Sequence, residues 1–305
     1  MWQEILKISR DLGIHDLGLA YPEDLKGQEA LLAWRRQAGW ELEIEEEDLA
    51  RRIDPRRTLA SCRSILLVFI QLPPSSPLAL KEGEGRLASV SWGRDYHQVL
   101  KEKIQDLAQA IKKRLGPFEG AIQVDTGPLL ERSLAQATGR GIIGKNGLFI
   151  HRDLGSYVAL GLLLTDLDLR EDRQEALFLS CKDCQACQKA CPGQALGEEG
   201  INPQTCRSWI SQKKGDLGPE EEKILGDSLY GCDVCQWVCP LNQGIKTQDL
   251  SLWGPLRKTI QLGDLQTLSN RDFKRAYGQL AGAWRGKKVW LRNREIIYKN
   301  HSDSN

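Results

Sequence analysis

The chain has 305 residues, 41% apolar and 27% charged, with a formal net charge of +1. That composition fits an ordinary globular protein with room for two or three small domains, and its near-neutral charge gives no global pull toward nucleic acid. The longest apolar run, "ILLVFI" at 65–70, is far too short to span a bilayer, and the N-terminal "MWQEILKISRDLG" lacks the apolar stretch of a secretory signal, so the expected location is the cytoplasm.

Residues 2–12 have the spacing of a short amphipathic helix ending near Gly13. Residues 16–20 and 64–71 read as strands, the second running into "LPPSSP", a loop. Between them "ELEIEEED" at 41–48 carries six acids. "DYHQVLKEKIQDLAQAIKKRL", 95–115, is helical in spacing and stops at Gly116-Pro117. A strand "AIQVD" is expected at 121–125, then a turn and a helix from about 128 to 138. The Gly-rich "GRGIIGKNG" at 139–147 leads into two strand-like runs, "LFIH" and "SYVALGLLL". Strands and helices mix without a strict βαβ repeat, so the expected class is α+β, with residues 1–170 forming one α/β domain around a central sheet.

Residues 171–250 hold eight of nine cysteines and little apolar periodicity, so this segment should depend on metal to fold. Residues 251–305 read as a basic helical C-terminal unit, with Ser269 a candidate N-cap. Within it, residues 271–299 carry nine Lys or Arg against Asp272 and Glu295. Trp284 and Trp290 are interleaved with these cations. An RNA surface would have that pattern, but the tryptophans are expected to pack in a core.

Nine cysteines in a cytosolic chain argue against a disulfide framework, and their clustering favours metal. Cys181, Cys184, Cys187 and Cys191-Pro192 follow the bacterial ferredoxin spacing for 4Fe–4S clusters. Zinc sites would instead show two separated Cys-x2-Cys pairs. In two-cluster proteins the cysteine before proline ligates the other cluster. One cluster then takes Cys181, Cys184, Cys187 and Cys239, and the other takes Cys191, Cys232 and Cys235. A complete second run would put a cysteine where Leu229 stands, so Cys206 is expected to supply the missing bond. Cys62 is left over and reads as a small buried hydrophobe. Two clusters form a short electron path, and the first domain is where an acceptor should lie.

Several stretches together resemble epoxyqueuosine reductases. They are "VDTGPLLERSLAQATGRGIIGKNGLFIHRDLGSYVALGLLLTDLDL" at 124–169, the two cysteine runs, "INPQTCRSW" ahead of the second, and "WRGKKVWLRNREIIYKN" near the end. The resemblance covers nearly the whole chain in the same order. It implies reduction of epoxyqueuosine to queuosine at the wobble position of tRNA, the last step of queuosine formation. It also implies a nitroreductase-like domain holding base-off cobalamin, a ferredoxin-like domain with two 4Fe–4S clusters, and an external electron donor such as ferredoxin or flavodoxin. A related corrinoid iron–sulfur reductase acting on a small molecule, dehalogenase-like, is the alternative. Longer members of the family continue into several helical repeats, whereas about one such unit precedes "SDSN" here.

Carried over residue by residue, the resemblance makes Asp125 the proton donor. Arg52, Tyr96, His97, Asp125, Lys145, Asn146, Gly155 and Ser156 are the cofactor-binding candidates. His97 is not assigned to cobalt, because base-off binding in the family leaves the lower face without a protein histidine. Met1 is the only methionine, so a thioether ligand is not expected. Candidate RNA contacts are Arg207, Arg285, Lys287, Lys288, Arg292 and Arg294, with Trp209 beside Arg207.

Overall fold

The computed structural model describes residues 1–170, 180–181, 183–198 and 200–302. The first residues of the expected cysteine segment, 171–179, and the end of the polar tail lie outside them. The strands, in chain order, are β1 (Asp16–Ala20), β2 (Ser64–Gln71), β3 (Glu84–Leu87), β4 (Gly120–Gln123), β5 (Gly141–Ile143), β6 (Phe149–His151), β7 (Val158–Thr165), β8 (Leu196–Gly197), β9 (Gly200–Ile201), β10 (Ser228–Tyr230) and β11 (Thr259–Gln261). The helices are α1 (Trp2–Asp11), α2 (Glu29–Gln37), α3 (Leu49–Ile53), α4 (Tyr96–Leu115), α5 (Glu131–Ala137), α6 (Ala186–Ala190), α7 (Arg207–Ile210), α8 (Pro219–Leu225), α9 (Val234–Trp237), α10 (Leu262–Thr267), α11 (Asn270–Tyr277) and α12 (Lys287–Ser302). The class is α+β, as expected. Two compact units divide the chain: residues 1–71, 97–182 and 244–248 form one, and 72–96, 183–243 and 249–305 form the other.

The first unit is built on an antiparallel sheet of order β1-β2-β7-β4. All eight residues of β2 are buried, including the apolar run 65–70, so the strand is covered on both faces. Ile65, Leu67 and Phe69 share a core with Leu134 and Ala135 of α5 and with Phe149 and Leu154. On the other face α4 crosses β7 at Gly161, where an added Cβ would lie 2.6 Å from Ile104 Cδ1. The Glu4–Arg114 ion pair joins α1 to the end of α4.

Two boundaries near the sheet differ from expectation. β4 stops at Gln123, because Asp125 adopts φ +55°, which a strand cannot continue. The following helix starts only at Glu131, after a turn whose last amide, Leu130 N–H, donates to the Arg52 carbonyl at 3.3 Å.

The second unit has a three-stranded sheet of order β10-β3-β11, β10 parallel and β11 antiparallel to β3. Leu87, Leu229, Ile260, Phe273, Tyr277 and Trp290 make its core. Ser269 caps α11, its hydroxyl accepting the Asp272 N–H at 3.1 Å. The short strand β11 lies in a region that reads as helical, since three residues are too few to carry a period-2 signal. The cysteine-bearing helices α6 and α9 pack together and bury no residue fully.

Candidate active site and cysteine centre

Asp125 is the apex of a three-residue turn. The Thr126 N–H donates to the Val124 carbonyl at 2.6 Å, closing an i to i+2 bond around a residue at φ +55°. Turns of this hand are rare and strained, and such strain gathers at functional sites. The carboxylate points outward, 56% exposed, with Oδ2 3.0 Å from His97 Nε2. His97 sits in the first turn of α4, so a rigid 20-residue helix positions it. The family resemblance puts His97 beside the corrin; the structure pairs it with Asp125.

Glu131 and Gln123 complete the turn, and neither was singled out from the sequence. Glu131 Oε1 accepts the Asp125 N–H at 2.8 Å and the Gln123 side-chain amide at 3.2 Å. Gln123 also exchanges two 3.1 Å hydrogen bonds with the backbone of Leu129. Crowding by protein, and next the charge of Asp125, push the Glu131 carboxyl up to about 8. The available signal was the run "VDTGPLLER" itself, with an acid six residues after the aspartate.

Arg52 is buried, its Nη1 2.8 Å from Glu45 Oε2, and Glu45 is also held by Arg35 through two bonds of 2.8 and 2.9 Å. Burial pushes the Glu45 carboxyl up, but Arg35 and then Arg52 outweigh it and hold it below the usual range. The acidic run 41–48 is therefore partly folded back on arginines. Tyr96 opens α4. In the hairpin of β5 and β6, the buried Asn146 accepts the Leu148 N–H through Oδ1 at 3.2 Å. Its Nδ2 is buried with no hydrogen-bond partner among the described residues. A buried amide donor left open is costly, and a carboxamide of a corrin rim is an acceptor that would satisfy it. Gly155 turns the chain at φ +69° against His151, and Ser156 beside it is buried.

A second His–Asp pair has a different role. His151 is buried, its Nε2 2.8 Å from Asp16 Oδ2, while its Nδ1 accepts the Asp153 and Leu154 amides at 3.1 and 3.3 Å. Every ring nitrogen has a protein partner, so this pair ties β1 to β6.

None of the nine cysteines is joined in a disulfide. Cys62 is in the first unit's core, and burial pushes its thiol up to about 11, as a small hydrophobe's would be. Cys181 Sγ accepts the Lys145 N–H at 3.4 Å, and Cys191 Sγ accepts the Ala195 N–H at 3.3 Å. Burial raises the thiols of Cys187, Cys206, Cys232 (to about 12) and Cys235. After burial, neighbouring thiols push these four groups up further. Cys187 responds to Cys239 and Cys184, Cys206 to Cys191, Cys232 to Cys206, and Cys235 to Cys232, Cys206 and Cys187. Main-chain amides of Gln188, Ser208, Trp209 and Val234 act the other way and favour thiolate. Amides aimed at sulfur and mutually close thiols fit iron–sulfur ligation. Leu229, where ferredoxin spacing would put a cysteine, is fully buried in β10. Among the described residues no three His, Cys, Asp or Glu side chains converge tightly enough to grip one ion.

The basic candidates mostly direct their donors inward. Arg207 Nε donates to the Ile224 carbonyl and Lys287 to the Leu268 carbonyl. Arg292 reaches the carbonyls of Lys213, Gly215 and Ile210, and Arg294 that of Leu262. Lys288 is exposed. Trp290 is fully buried, as expected; Trp284 is not, being 52% exposed with the Arg285 guanidinium 4.0 Å from its ring. Trp284 lies in a short 3-10 segment, Ala281–Arg285, that buries Ala281 and Gly282 instead, whereas Trp290 belongs to α12. Arg285 also stands 5.4 Å from the Trp209 ring.

An α+β unit presenting a strained aspartate, joined to a segment with two sets of cysteines, defines a redox enzyme with iron–sulfur centres. Residues 52–126 match the family model "Epoxyqueuosine reductase QueG, DUF1730", and residues 180–242 match "4Fe-4S double cluster binding domain". A curated epoxyqueuosine reductase of Lactococcus garvieae is 34% identical over 307 residues, covering 97% of this chain and 85% of that one. The solved epoxyqueuosine reductase of Streptococcus thermophilus superposes with a TM-score of 0.90 at 34% identity, covering 99% of this chain and 81% of that one. A crystal structure of an epoxyqueuosine reductase with an epoxyqueuosine-modified tRNA-Tyr stem loop superposes with a TM-score of 0.91 at 31% identity, covering 99% and 82%. The chain belongs to the epoxyqueuosine reductase family.

Proposed function

We propose that this protein reduces epoxyqueuosine to queuosine at the wobble position of tRNA, with Asp125 as proton donor. The reaction breaks both C–O bonds of the epoxide and forms one C=C bond. It consumes two electrons and two protons, and the oxygen leaves as water. The observation that carries the reading is Asp125 itself, held outward at a strained φ with its carboxylate 3.0 Å from a helix-mounted histidine.

When bound, base-off cobalamin supplies a strongly nucleophilic metal centre, and two 4Fe–4S clusters supply electrons singly from an external donor such as ferredoxin or flavodoxin. Arg52, Tyr96, Lys145, Asn146, Gly155 and Ser156 are the residues to hold the corrin. The open Nδ2 of Asn146 is the support within this structure. Cys181, Cys184, Cys187 and Cys239 would ligate one cluster, and Cys191, Cys206, Cys232 and Cys235 the other. The ferredoxin spacing, with each Cys-Pro cysteine ligating the other cluster, supports this division. Asp125 holds the proton that the departing oxygen needs, and His97 fixes its carboxyl and can return a proton to it. Exposed Lys288 and the Trp284–Arg285 stack are the residues left to meet RNA, by charge and by base stacking. The cytoplasm, where tRNA is modified, is the expected place; among the described residues no helix is long and apolar enough to cross a membrane.

The test uses anaerobically reconstituted protein, cobalamin, a strong reductant and tRNA carrying epoxyqueuosine, followed by nucleoside mass. Loss of one oxygen from the modified base is expected. Asp125→Asn should keep both clusters and cobalamin yet lose about 10²–10⁴ in kcat. Wild-type turnover by this variant would remove Asp125 from the mechanism, and an untouched tRNA with fully loaded protein would remove the reaction.

A further inference from the structure

The strained turn at Asp125 needs something to hold it. A residue at φ +55° and an i to i+2 bond are not a resting conformation for an aspartate in an exposed loop. Three contacts oppose its relaxation. Glu131 Oε1 takes the Asp125 amide at 2.8 Å. Gln123, 4% exposed at the end of β4, closes the loop through two bonds to Leu129 and one to the same Glu131 oxygen. Gly127 lies so close over Gln123 that an added Cβ would fall 2.0 Å from its Cγ, so the loop is wrapped tightly on this amide.

Of these contacts only the one from Glu131 reaches the Asp125 backbone directly. The carboxyl is also placed to do it: Glu131 is the first residue of α5, whose Leu134 and Ala135 are locked in the core of the first unit. It thus couples the apex of a mobile type of turn to a rigid element. The charged groups facing it are Asp125 across the turn, His97 from α4, and its neighbour Arg132, whose own surroundings include Arg35 and Glu45.

We propose that Glu131 is the positioning residue of this site, a latch whose carboxyl oxygen holds the Asp125 amide and thereby keeps the Asp125 carboxyl turned toward His97 and the reacting oxygen. The inference rests on the reading of Asp125 as proton donor. Glu131 itself touches no reacting atom. Removing it lets the turn relax toward ordinary φ and carries the carboxyl away from His97, while the substrate and corrin surfaces are left in place.

The experiment compares wild type, Glu131→Ala and Glu131→Gln as full-length, cluster-loaded proteins. Amide hydrogen exchange is followed by mass spectrometry across 124–130, and single-turnover and steady-state kinetics are run on the epoxyqueuosine tRNA. Glu131→Ala should speed exchange at 124–130 by tenfold or more with β2 and β7 unchanged, and lower kcat about 30-fold with KM within about threefold. Glu131→Gln keeps an acceptor oxygen at the same place. It should return exchange, and most of the turnover, toward wild type, which a change in folding alone would not do. Unchanged exchange at 124–130 in Glu131→Ala overturns the latch. So does a loss in Glu131→Gln equal to that in Glu131→Ala, since the acceptor would then not matter. Because exchange is read without substrate, it judges the latch even if the tRNA assay should overturn the assigned reaction.

Discussion

The two units are stabilised differently. In the first, Ile65, Leu67, Phe69, Leu162 and Leu164 form an apolar core between a sheet and α5. In the second, the sheet core around Leu229, Phe273 and Trp290 is separate from the cysteine helices α6 and α9, which bury no side chain fully. Iron should therefore matter locally. The cysteine loops depend on their clusters for order, and the sheet beside them does not.

The strongest way to break that comparison is to remove a ligand. Cys206→Ser should leave about four of about eight irons per chain and abolish turnover. Exchange should rise in 183–195 and 232–242, while β2, β7 and the core around Trp290 keep their protection. Iron analysis and exchange mass spectrometry check this. A full complement of iron would show that Cys206 is not a ligand, and loss of protection throughout the second unit would show that its sheet does depend on metal.

The two His–Asp pairs sharpen the contrast between holding a fold and working on a substrate. His151–Asp16 is buried and fully partnered, whereas His97–Asp125 is open to solvent. Removing His151 leaves the half-buried Asp16 carboxylate with only the Leu17 N–H at 2.8 Å and the Arg140 guanidinium at 3.5 Å. His151→Ala should cost about 1–3 kcal/mol of stability. His97→Ala should change stability by less than about 0.5 kcal/mol and lower kcat about tenfold or more. Urea titration and the tRNA assay separate the two. Equal losses of stability would mean that the exposed pair is structural as well.

Much of this was legible in the sequence, for physical reasons that also explain the failures. β2 announces itself by the apolar run 65–70, and α4 by twenty residues of sustained periodicity. The cysteine pattern was readable because cluster geometry demands fixed short spacings. β3 and β11 were not, since each is short and is defined by pairing with residues more than a hundred positions away. Glu131 was missed because its meaning lies in a turn conformation that places an acid of one helix on the amide of a residue six positions earlier. Arg292 and Arg294 looked like an RNA surface because a sequence shows charge and not where a guanidinium points.

The smallest effect concerns the pH dependence of stability in the first unit. Glu131 has its carboxyl pushed up to about 8 in the folded chain, against about 4.5 ordinarily. Below pH 4.5 both folded and unfolded chains hold this proton, and it contributes no slope. Between about 4.5 and about 8 the unfolded chain releases the proton and the folded chain keeps it, so rising pH favours unfolding through this group. Above about 8 the penalty is complete and flat. Glu131→Gln cannot ionise, so it should gain stability relative to wild type as pH rises from 5 to 8, with little difference at pH 5. Melting temperatures of both proteins across that range would show the difference widening. A constant difference would place the Glu131 carboxyl at its ordinary ionisation, and with it would go the claim that the Asp125 turn crowds an acid against an acid.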